Sequence, residues 1–513
     1  MKDLLQSSQV ALVKAQPFYS QTAPFAPSRY YPEWPDATIS AEENPAYDAI
    51  RQLFRRLGFD SRHYDTSQWN PLGELVAPGN TVVLKPNFVF HRNLGAEVYG
   101  LTDTDSLVTH GSVIRVVLDY TAKALQGRGR IIVGDSPLQG ADWAKLVEVV
   151  GLPPIQRYFA AAFPGVELMV RDYRLGKAVV KCGRVIERRI DEALIDDYLE
   201  VDMGRHSLLG PLLDRPCEFG VTQYPKVRMR RAHHGNVHKY LIPKDLLMPD
   251  VMINLPKLKS HMKAGITAAL KNFVGINGHK DYLPHFRYGS PGEGGDEYPD
   301  GNWLWKLRWA LAHRDWEKDD GVAKRCLQTL SRVCAGGLWL AGTPKDFLLS
   351  VGGGGWHGND TLWRTVLDIN RAFLYFDRAA GRVGDELRSD LRYLAIIDGI
   401  VGGERESPLA PSPVACGTMI ASLNPLAADA VATACMGFDV DKVTQVREGF
   451  KVDRLPLAAF TPADISIRGN TQARSLQDIY DQGLYTPFAP SEGYRGTIEY
   501  QGSGARAAVC ERV

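Results

Sequence analysis

Apolar residues along this chain fall into short, dense runs separated by polar punctuation, a pattern of buried strands rather than of amphipathic surface helices. The densest run, Leu246 to Leu255, crowds Leu247, Met248, Val251, Met252, Ile253 and Leu255 together and predicts a strand that Pro256 ends. Lys257, Lys259, Ser260, His261 and Lys263 then read as the loop leaving its carboxyl end, where α/β sheets bind ligands. Gly265 to Phe273 (GITAALKNF) predicts a helix, with Thr267 near its start so that backbone donors there can meet an anion.

The same pattern continues on both sides. TVVLKPNF (81–88) predicts a strand, Ser112 to Leu125 an amphipathic helix and RIIVGDSP (130–137) a second strand. Strand, helix, strand is a βαβ unit of a parallel sheet, and both strands end in polar residues at one edge. Lys85, Asn87, Asp135 and Ser136 should therefore be neighbours, with Asn87 and Asp135 either capping turns or lining a site. Val10 to Lys14 predicts a further strand, Pro17 to Pro35 an extended surface loop and Asn44 to Leu57 a helix. LRYLAIIDGIVGGERESP (391–408) reads as a strand ending in Asp398 and a glycine turn, and TMIASLNPLAADAVATACMGF (418–438) as strand, loop and helix. After Ser491 the chain reads as irregular, with one strand over Gly496 to Tyr500.

Between these blocks KAVVKCGRVIERRI (177–190) supplies short strands, and KVRMRRAHHGNVHKYLIP (226–243) reads as a basic surface loop. His233, His234 and His238 would suit a metal on a helix, but Gly235 and Asn236 break that register. Residues 286–375 change character, with YGSPGEGGDEYPDGN, Trp-rich helices through Leu348 and then SVGGGGWHGNDTLWRTVLDINRAF. This reads as an insertion. Trp303, Trp305, Trp309 and Trp316 fill its own core, with a partner-binding face as the alternative. Gly352 to Gly355 lacks the lysine of a phosphate-binding loop and reads as a flexible loop near the site. The expected architecture is α/β: mostly parallel sheet layers flanked by helices, in four parts. These are an N-terminal extension packed on the core (1–75), a core α/β domain (76–285), the Gly- and Trp-rich insertion (286–375) and a C-terminal α/β part completing the core (376–513).

Composition narrows the function. Lys plus Arg is 60 and Asp plus Glu 59, so the chain has no global field of the kind nonspecific nucleic-acid binding needs. No stretch approaches the roughly 20 apolar residues of a membrane span, and MKDLLQSSQVALVKAQ lacks a signal-peptide core, so the expected residence is cytoplasmic. Cys182, Cys217, Cys326, Cys334, Cys416, Cys435 and Cys510 form no CxxC pair, which disfavours an iron–sulfur or zinc-ribbon module and suits reduced thiols.

Taken together, VVLKPNF (82–88), VGDSP (133–137), INLPKLKSH (253–261), ALKNFVGING (269–278), IIDGIVGG (396–403) and ASLNPLAADAVATACMGF (421–438) resemble the uncharacterised family called domain of unknown function 362. Some of its members carry a ferredoxin-like cysteine cluster that this chain lacks, so iron–sulfur chemistry is not implied. The longer forms with a Trp-rich insertion imply a link to surface-polysaccharide biosynthesis. A weaker resemblance is to the nickel-pincer lactate racemases, in which a histidine precedes a small-residue segment ending in lysine. Here His261 and Lys271 stand ten positions apart. That resemblance implies acid/base work for His261, a cofactor-holding role for Lys271 and a second histidine at His110, while LPKLKSH departs from the racemase pattern and leaves the nickel cofactor disfavoured.

The expected function is an enzyme acting on a small anionic metabolite or nucleotide sugar, phosphorylated or carboxylated, with proton transfer at carbon as in epimerases, racemases or lyases. Lys85, Lys257 and Lys259 would bind negative charge, Asn87, Asp135, Ser136, Thr267 and Asn272 would complete the substrate site, and His261 would move the proton, its pKa lowered by the lysines. Lys271 either pairs with Asp135 or Asp398 or reaches the ligand. Two alternatives stand beside this: a phosphoryl or nucleotidyl transferase with a divalent metal at Asp398 and Glu404, and a noncatalytic anion-binding or assembly protein.

Overall fold

In the computed structural model, which describes residues 4–96, 100, 102–181, 184–213, 218–301, 303–316, 322–343 and 351–502, the dense apolar runs become strands of one sheet. Its eleven strands are β1 (Gln9–Lys14), β2 (Thr81–Pro86), β3 (Gly129–Asp135), β4 (Val166–Asp172), β5 (Val251–Leu255), β6 (Lys257–His261), β7 (Gly265–Thr267), β8 (Arg392–Glu406), β9 (Ala410–Val414), β10 (Thr418–Ser422) and β11 (Ser466–Gly469). The principal order is β11-β1-β10-β8-β5-β2-β3-β4. Strands β8, β5, β2, β3 and β4 are parallel neighbours. Strand β10 runs antiparallel to both β8 and β1, and β11 runs parallel to β1. The chain is an α/β protein with a mostly parallel sheet.

Burial on both faces explains why the strands read as continuous apolar runs instead of alternating ones. Val10, Leu12, Val83, Ile132, Met252 and Ile397 point into one core, while Ala11, Val13, Val82, Leu84, Ile131 and Ile253 point into the other. Helices α1 (Pro45–Leu57) and α2 (Gly111–Leu125) cover the second core. The first is covered by the short helix α3 (Ala269–Asn272) and, beyond a helical hairpin of α4 (Trp303–Trp316) and α5 (Val322–Leu340), by α6 (Leu362–Leu374) and α7 (Pro425–Cys435). Among the described residues no helix is long and apolar enough to cross a membrane.

Several elements differ from expectation, each for a tertiary reason. Leu246 and Leu247 belong to a helical turn before β5. Lys257 to His261 is a strand, not a loop: Lys257 pairs with Asp398, and Lys259 and His261 pair with Thr267 and Gly265. Pro256 does not end the pairing, because its carbonyl still accepts from Asp398 N at 2.8 Å. Gly265 to Thr267 is accordingly strand, and only four residues of the expected helix are α-helical. Asp398 lies inside the fifteen-residue β8, whose glycines serve close packing. A Cβ at Gly399 would sit 2.6 Å from Thr418 O, and one at Gly403 2.7 Å from Ser106 O. The expected strand at Gly496–Tyr500 is reduced to a bridge between Phe438 and Glu499.

Part boundaries shift as well. The N-terminal segment is no extension, since β1 sits between β10 and β11 in the sheet. Helix α6 lies within 286–375 yet is buried in the main core, so the inserted element is the α4–α5 hairpin, whose Trp305 and Trp309 pack with Phe286, Tyr298 and Leu338. The Trp316 side chain and residues 344–348 of the expected Trp-rich helices lie outside the described residues. His233 and His238 are buried on a two-stranded hairpin (233–234 and 237–243), not on a surface loop. Cys326, Cys334, Cys416 and Cys435 are free thiols, and Cys182, Cys217 and Cys510 lie outside the described residues.

Because Leu12 is fully buried in a strand flanked on both sides, Leu12→Ala should lower the unfolding free energy by about 2–5 kcal/mol in urea titrations. A loss well under about 1 kcal/mol would mean that β1 is a peripheral appendage.

Candidate functional site

The carboxyl ends of β2 and β3 meet as their polar residues predict. Lys85 Nζ contacts Asp135 Oδ1 at 2.7 Å, with both side chains buried. Burial pushes the Asp135 carboxyl up and the Lys85 amine down, and their mutual attraction opposes both shifts. Asp135 also accepts from Phe88 N at 2.6 Å and Ser136 N at 2.8 Å, while Ser136 Oγ donates to Tyr173 O at 2.6 Å.

Asn272 closes this floor from the other side of the sheet edge. Its Oδ1 accepts from Lys85 Nζ at 3.2 Å and from Asn87 Nδ2 at 2.9 Å, and its Nδ2 donates to Asn254 Oδ1 at 2.7 Å. The next turn must come very close, and glycine permits it: a Cβ on Gly275 would lie 2.3 Å from Asp135 Oδ1 and 2.8 Å from Lys85 Nζ. The start of α3 is held by Asp429 of α7, which accepts from Ala269 N at 2.6 Å and Leu270 N at 3.1 Å. Fully buried without a cation, the Asp429 carboxyl is pushed up to about 8. Hence the separated LKNFVGING and NPLAAD segments serve one purpose, fixing the turn that carries Lys271.

Above this floor lies a cavity of about 460 Å³, which Asn87, Asp135, Ser136, His261, Thr267, Lys271 and Asn272 all line. Lys263, which the sequence placed in the ligand loop without a role, and Lys280 and His285, which it did not select, line it too. Asp135, already paired, is the only carboxylate among the described lining residues. Burial pushes all three amines down, Lys271 to about 7 and Lys263 and Lys280 to about 8; neighbouring cations add to this for Lys271 and Lys280, whereas Glu297 opposes it for Lys263. Lys263 Nζ donates to Thr222 Oγ1 at 2.8 Å, whereas no described residue hydrogen-bonds or pairs with the Lys271 amine. Asn87 Oδ1, Thr267 Oγ1 and Gln139 Nε2 are buried at the cavity with no partner, polar groups that a ligand would satisfy.

Two histidines face the cavity in opposite tautomers. Lys263 N donates to His261 Nδ1 at 3.0 Å, so neutral His261 carries its proton on Nε2. The Leu283 carbonyl can only accept, so His285 Nδ1–H donates to it at 2.7 Å and Nε2 of neutral His285 keeps a free lone pair. Burial first, then the surrounding lysines, hold both imidazoles well below their usual pKa. One ring thus presents a donor and the other an acceptor.

The remaining expected site residues are elsewhere. Lys257 and Lys259 point to the face bearing α2, where both are fully buried. Lys257 Nζ donates to Asp398 Oδ2 at 3.1 Å and to Tyr19 Oη at 2.7 Å, and Tyr19 Oη donates to Asp398 Oδ1. Lys259 Nζ donates to Leu107 O at 2.6 Å, and burial together with Lys257 holds its amine well below the usual range. The His110 ring accepts from Ser112 N at 3.1 Å, capping α2, and stacks on Tyr19 at 4.0 Å, while its backbone N donates to Asp398 Oδ2 at 3.0 Å. It does not line the cavity, so the expected pairing of His110 with His261 is not formed. Lys85 is also beneath the cavity, as the partner of Asp135, and not in its wall.

Metal binding at Asp398 does not fit this setting, since hydrogen-bond donors already engage both carboxylate oxygens. Glu404 stands six residues along the same strand, roughly 20 Å away at about 3.3 Å per residue. Among the described residues no group of three His, Cys, Asp or Glu is arranged to hold a metal. The glycine-rich loop does reach the site: Gly352 lines the cavity, and a Cβ on Gly353 would lie 2.6 Å from Thr222 Oγ1.

Residues 216–434 match the model of a family described as a domain of unknown function (DUF362). No curated protein matches the chain. Among solved structures, a crystal structure of a protein from Thermotoga maritima matches at 9% identity, over 72% of this chain and 53% of that one, with a TM-score of 0.26. This chain thus spans about half the length of that protein.

The buried pair beneath the cavity gives a direct test. Lys85→Met should cost about 3–5 kcal/mol by leaving Asp135 unpaired, and adding Asp135→Leu should restore much of it. Equal losses in the single and double variants, measured by chemical unfolding, would rule out the pairing as the cause.

Proposed function

Residues 216–434 belong to the domain of unknown function 362 family, and on that premise we propose that this part of the chain binds a small anionic metabolite and moves a proton at one of its carbon atoms. His261, Lys263, Lys271, Lys280 and His285 all fall within it. The observation that carries the reading is the unbalanced cavity: three amines and two neutral imidazoles face about 460 Å³ with no unpaired carboxylate among the described lining residues. Such a wall is stabilised by an incoming anion, and the volume suits a small metabolite.

The tautomers divide the labour. His285 Nε2 takes a proton from the carbon next to a carbonyl or carboxylate and becomes an imidazolium. His261 Nε2–H donates to the oxygen on which negative charge develops, while Lys263, Lys271 and Lys280 hold the anionic group and stabilise the enolate. Proton donation to the same carbon from the opposite face by a second acid, for which the Lys271 ammonium is the candidate, with His285 later losing its proton to solvent, gives an epimer or racemate, and departure of a β-substituent gives a lyase product. Proton transfer of this kind contributes about 10²–10⁴-fold. An anionic sugar or nucleotide sugar, as surface-polysaccharide synthesis uses, is one substrate class with the required charge. The transferase alternative draws no support from Asp398 and Glu404, which lie apart.

Binding should depend on pH with a defined sign. The amines carry charge below their pKa values, so affinity for sulfate, whose charge is constant over this range, should be highest below about 7 and fall as pH rises through about 7 to 8. Lys271→Met should weaken phosphate binding roughly 10- to 100-fold at about pH 6.5 by calorimetry. Affinity that rises with pH would contradict the cationic wall.

Catalysis is tested separately. A panel of 2-hydroxy acids, uronic acids and sugar phosphates in deuterium oxide should show carbon-bound deuterium incorporation by NMR for one class. His285→Ala should slow it by about 10²–10⁴-fold while phosphate affinity stays within a few-fold. Anion binding without exchange by any class would make the protein a binding module.

A further inference from the structure

We propose that the outer face of the α4–α5 hairpin docks on an anionic phospholipid surface, independently of what the cavity binds. The two helices pack on each other and have two unlike sides. The inner side is a true core: Trp305, Trp309, Cys334 and Leu338 are buried. On the outer side Trp303 is 69% exposed, Val333 66%, Trp339 58% and Leu340 79%, with Leu307 and Leu330 beside them. Few other large apolar side chains in the described residues are so exposed, and nowhere else do they recur along helices.

The spacing makes these residues faces and not scatter. In α4, Trp303, Leu307 and Arg314 recur at i, i+4 and i+11. In α5, Leu330, Val333 and Leu340 form one row, and Arg325, Arg332 and Trp339 form the adjacent one at i, i+7 and i+14. Arg314, Arg325 and Arg332 are exposed. Asp315 is the only acidic residue in the sequence of the two helices, and α5 has none.

Trp and Leu beside Arg, with no acidic residue in α5, match the charge and polarity of a bilayer interface rich in anionic headgroups. Neither helix is long and apolar enough to cross the membrane, so the hairpin lies on it with the apolar rows in the headgroup region. Trp309, on the inner side of α4, lines the cavity. Docking of the outer face therefore holds the cavity wall about one helix diameter, roughly 10–12 Å, from the lipid surface.

The test is sedimentation of the full chain with vesicles of phosphatidylcholine alone or mixed with phosphatidylglycerol, at low and high salt. Wild type should pellet with the mixed vesicles, far less with phosphatidylcholine, and less in high salt. The double variant Trp303→Ser with Trp339→Ser should lose about tenfold or more in apparent affinity. Arg325→Glu with Arg332→Glu should lose at least about tenfold. All four positions are exposed, and unchanged thermal unfolding confirms intact variants. Absence of wild type from the mixed-vesicle pellet, or variants that bind like wild type, overturns the proposal. So does concentration-dependent self-association without lipid that the tryptophan variant abolishes, because the face then serves a protein contact.

Discussion

Lys85 and Asp135 stand at the carboxyl ends of neighbouring parallel strands, and burying either charge without the other costs several kcal/mol. That constraint organises the site around it. Asn272 must bridge Lys85, Asn87 and Asn254, Gly275 must lack a side chain, and α3 must be pinned by Asp429 so that Asn272 is delivered. Each requirement draws on a different segment of the chain. The floor of the cavity is thus assembled from segments up to 344 positions apart, Lys85 to Asp429, with its hydrogen bonds largely satisfied within the protein.

The wall above it is built on the opposite logic. Lys271 has no partner among the described residues, and Lys263 has a hydroxyl and the more distant Glu297 charge, so the folded chain keeps buried amines at a cost in desolvation that repulsion increases at Lys271. A fold gains nothing from such an arrangement, whereas a bound anion relieves it. The unpartnered Asn87 Oδ1, Thr267 Oγ1 and Gln139 Nε2 point to the same conclusion from the neutral side. Satisfied floor and unsatisfied wall together separate polarity consumed by the fold from polarity left open to a ligand.

Legibility in the sequence followed the same division. The dense apolar runs named six strands of the sheet, because strands buried on both faces tolerate little else. The βαβ order alone brought Lys85, Asn87, Asp135 and Ser136 together, since parallel neighbours align their carboxyl ends. Lys257 and Lys259, by contrast, read as a ligand loop and proved to be buried strand positions, because a basic residue at every second position looks the same in a loop and in a strand with a buried ionic partner. His285 lay in plain view as a lone histidine after a proline. Only the backbone carbonyl of Leu283 and the cavity wall mark it out, and neither leaves a local pattern.

By itself the sequence determined that this is an α/β protein, six of the segments that form its sheet, and that residues of the stretch from Ile253 to Asn277 border the cavity. Those features depend on local periodicity and on short-range rules of strand order, which act within tens of residues. Only the tertiary structure decided which cations face the cavity and which are consumed in the core, that His110 and Asp398 sit with Tyr19 on the face bearing α2, and that His285 joins His261. Those outcomes depend on where along a strand a residue falls and on what packs against it there. Successive same-face positions of β6 are about 6.6 Å apart, so Lys257 and His261, alike in pattern, end roughly 13 Å apart in different surroundings.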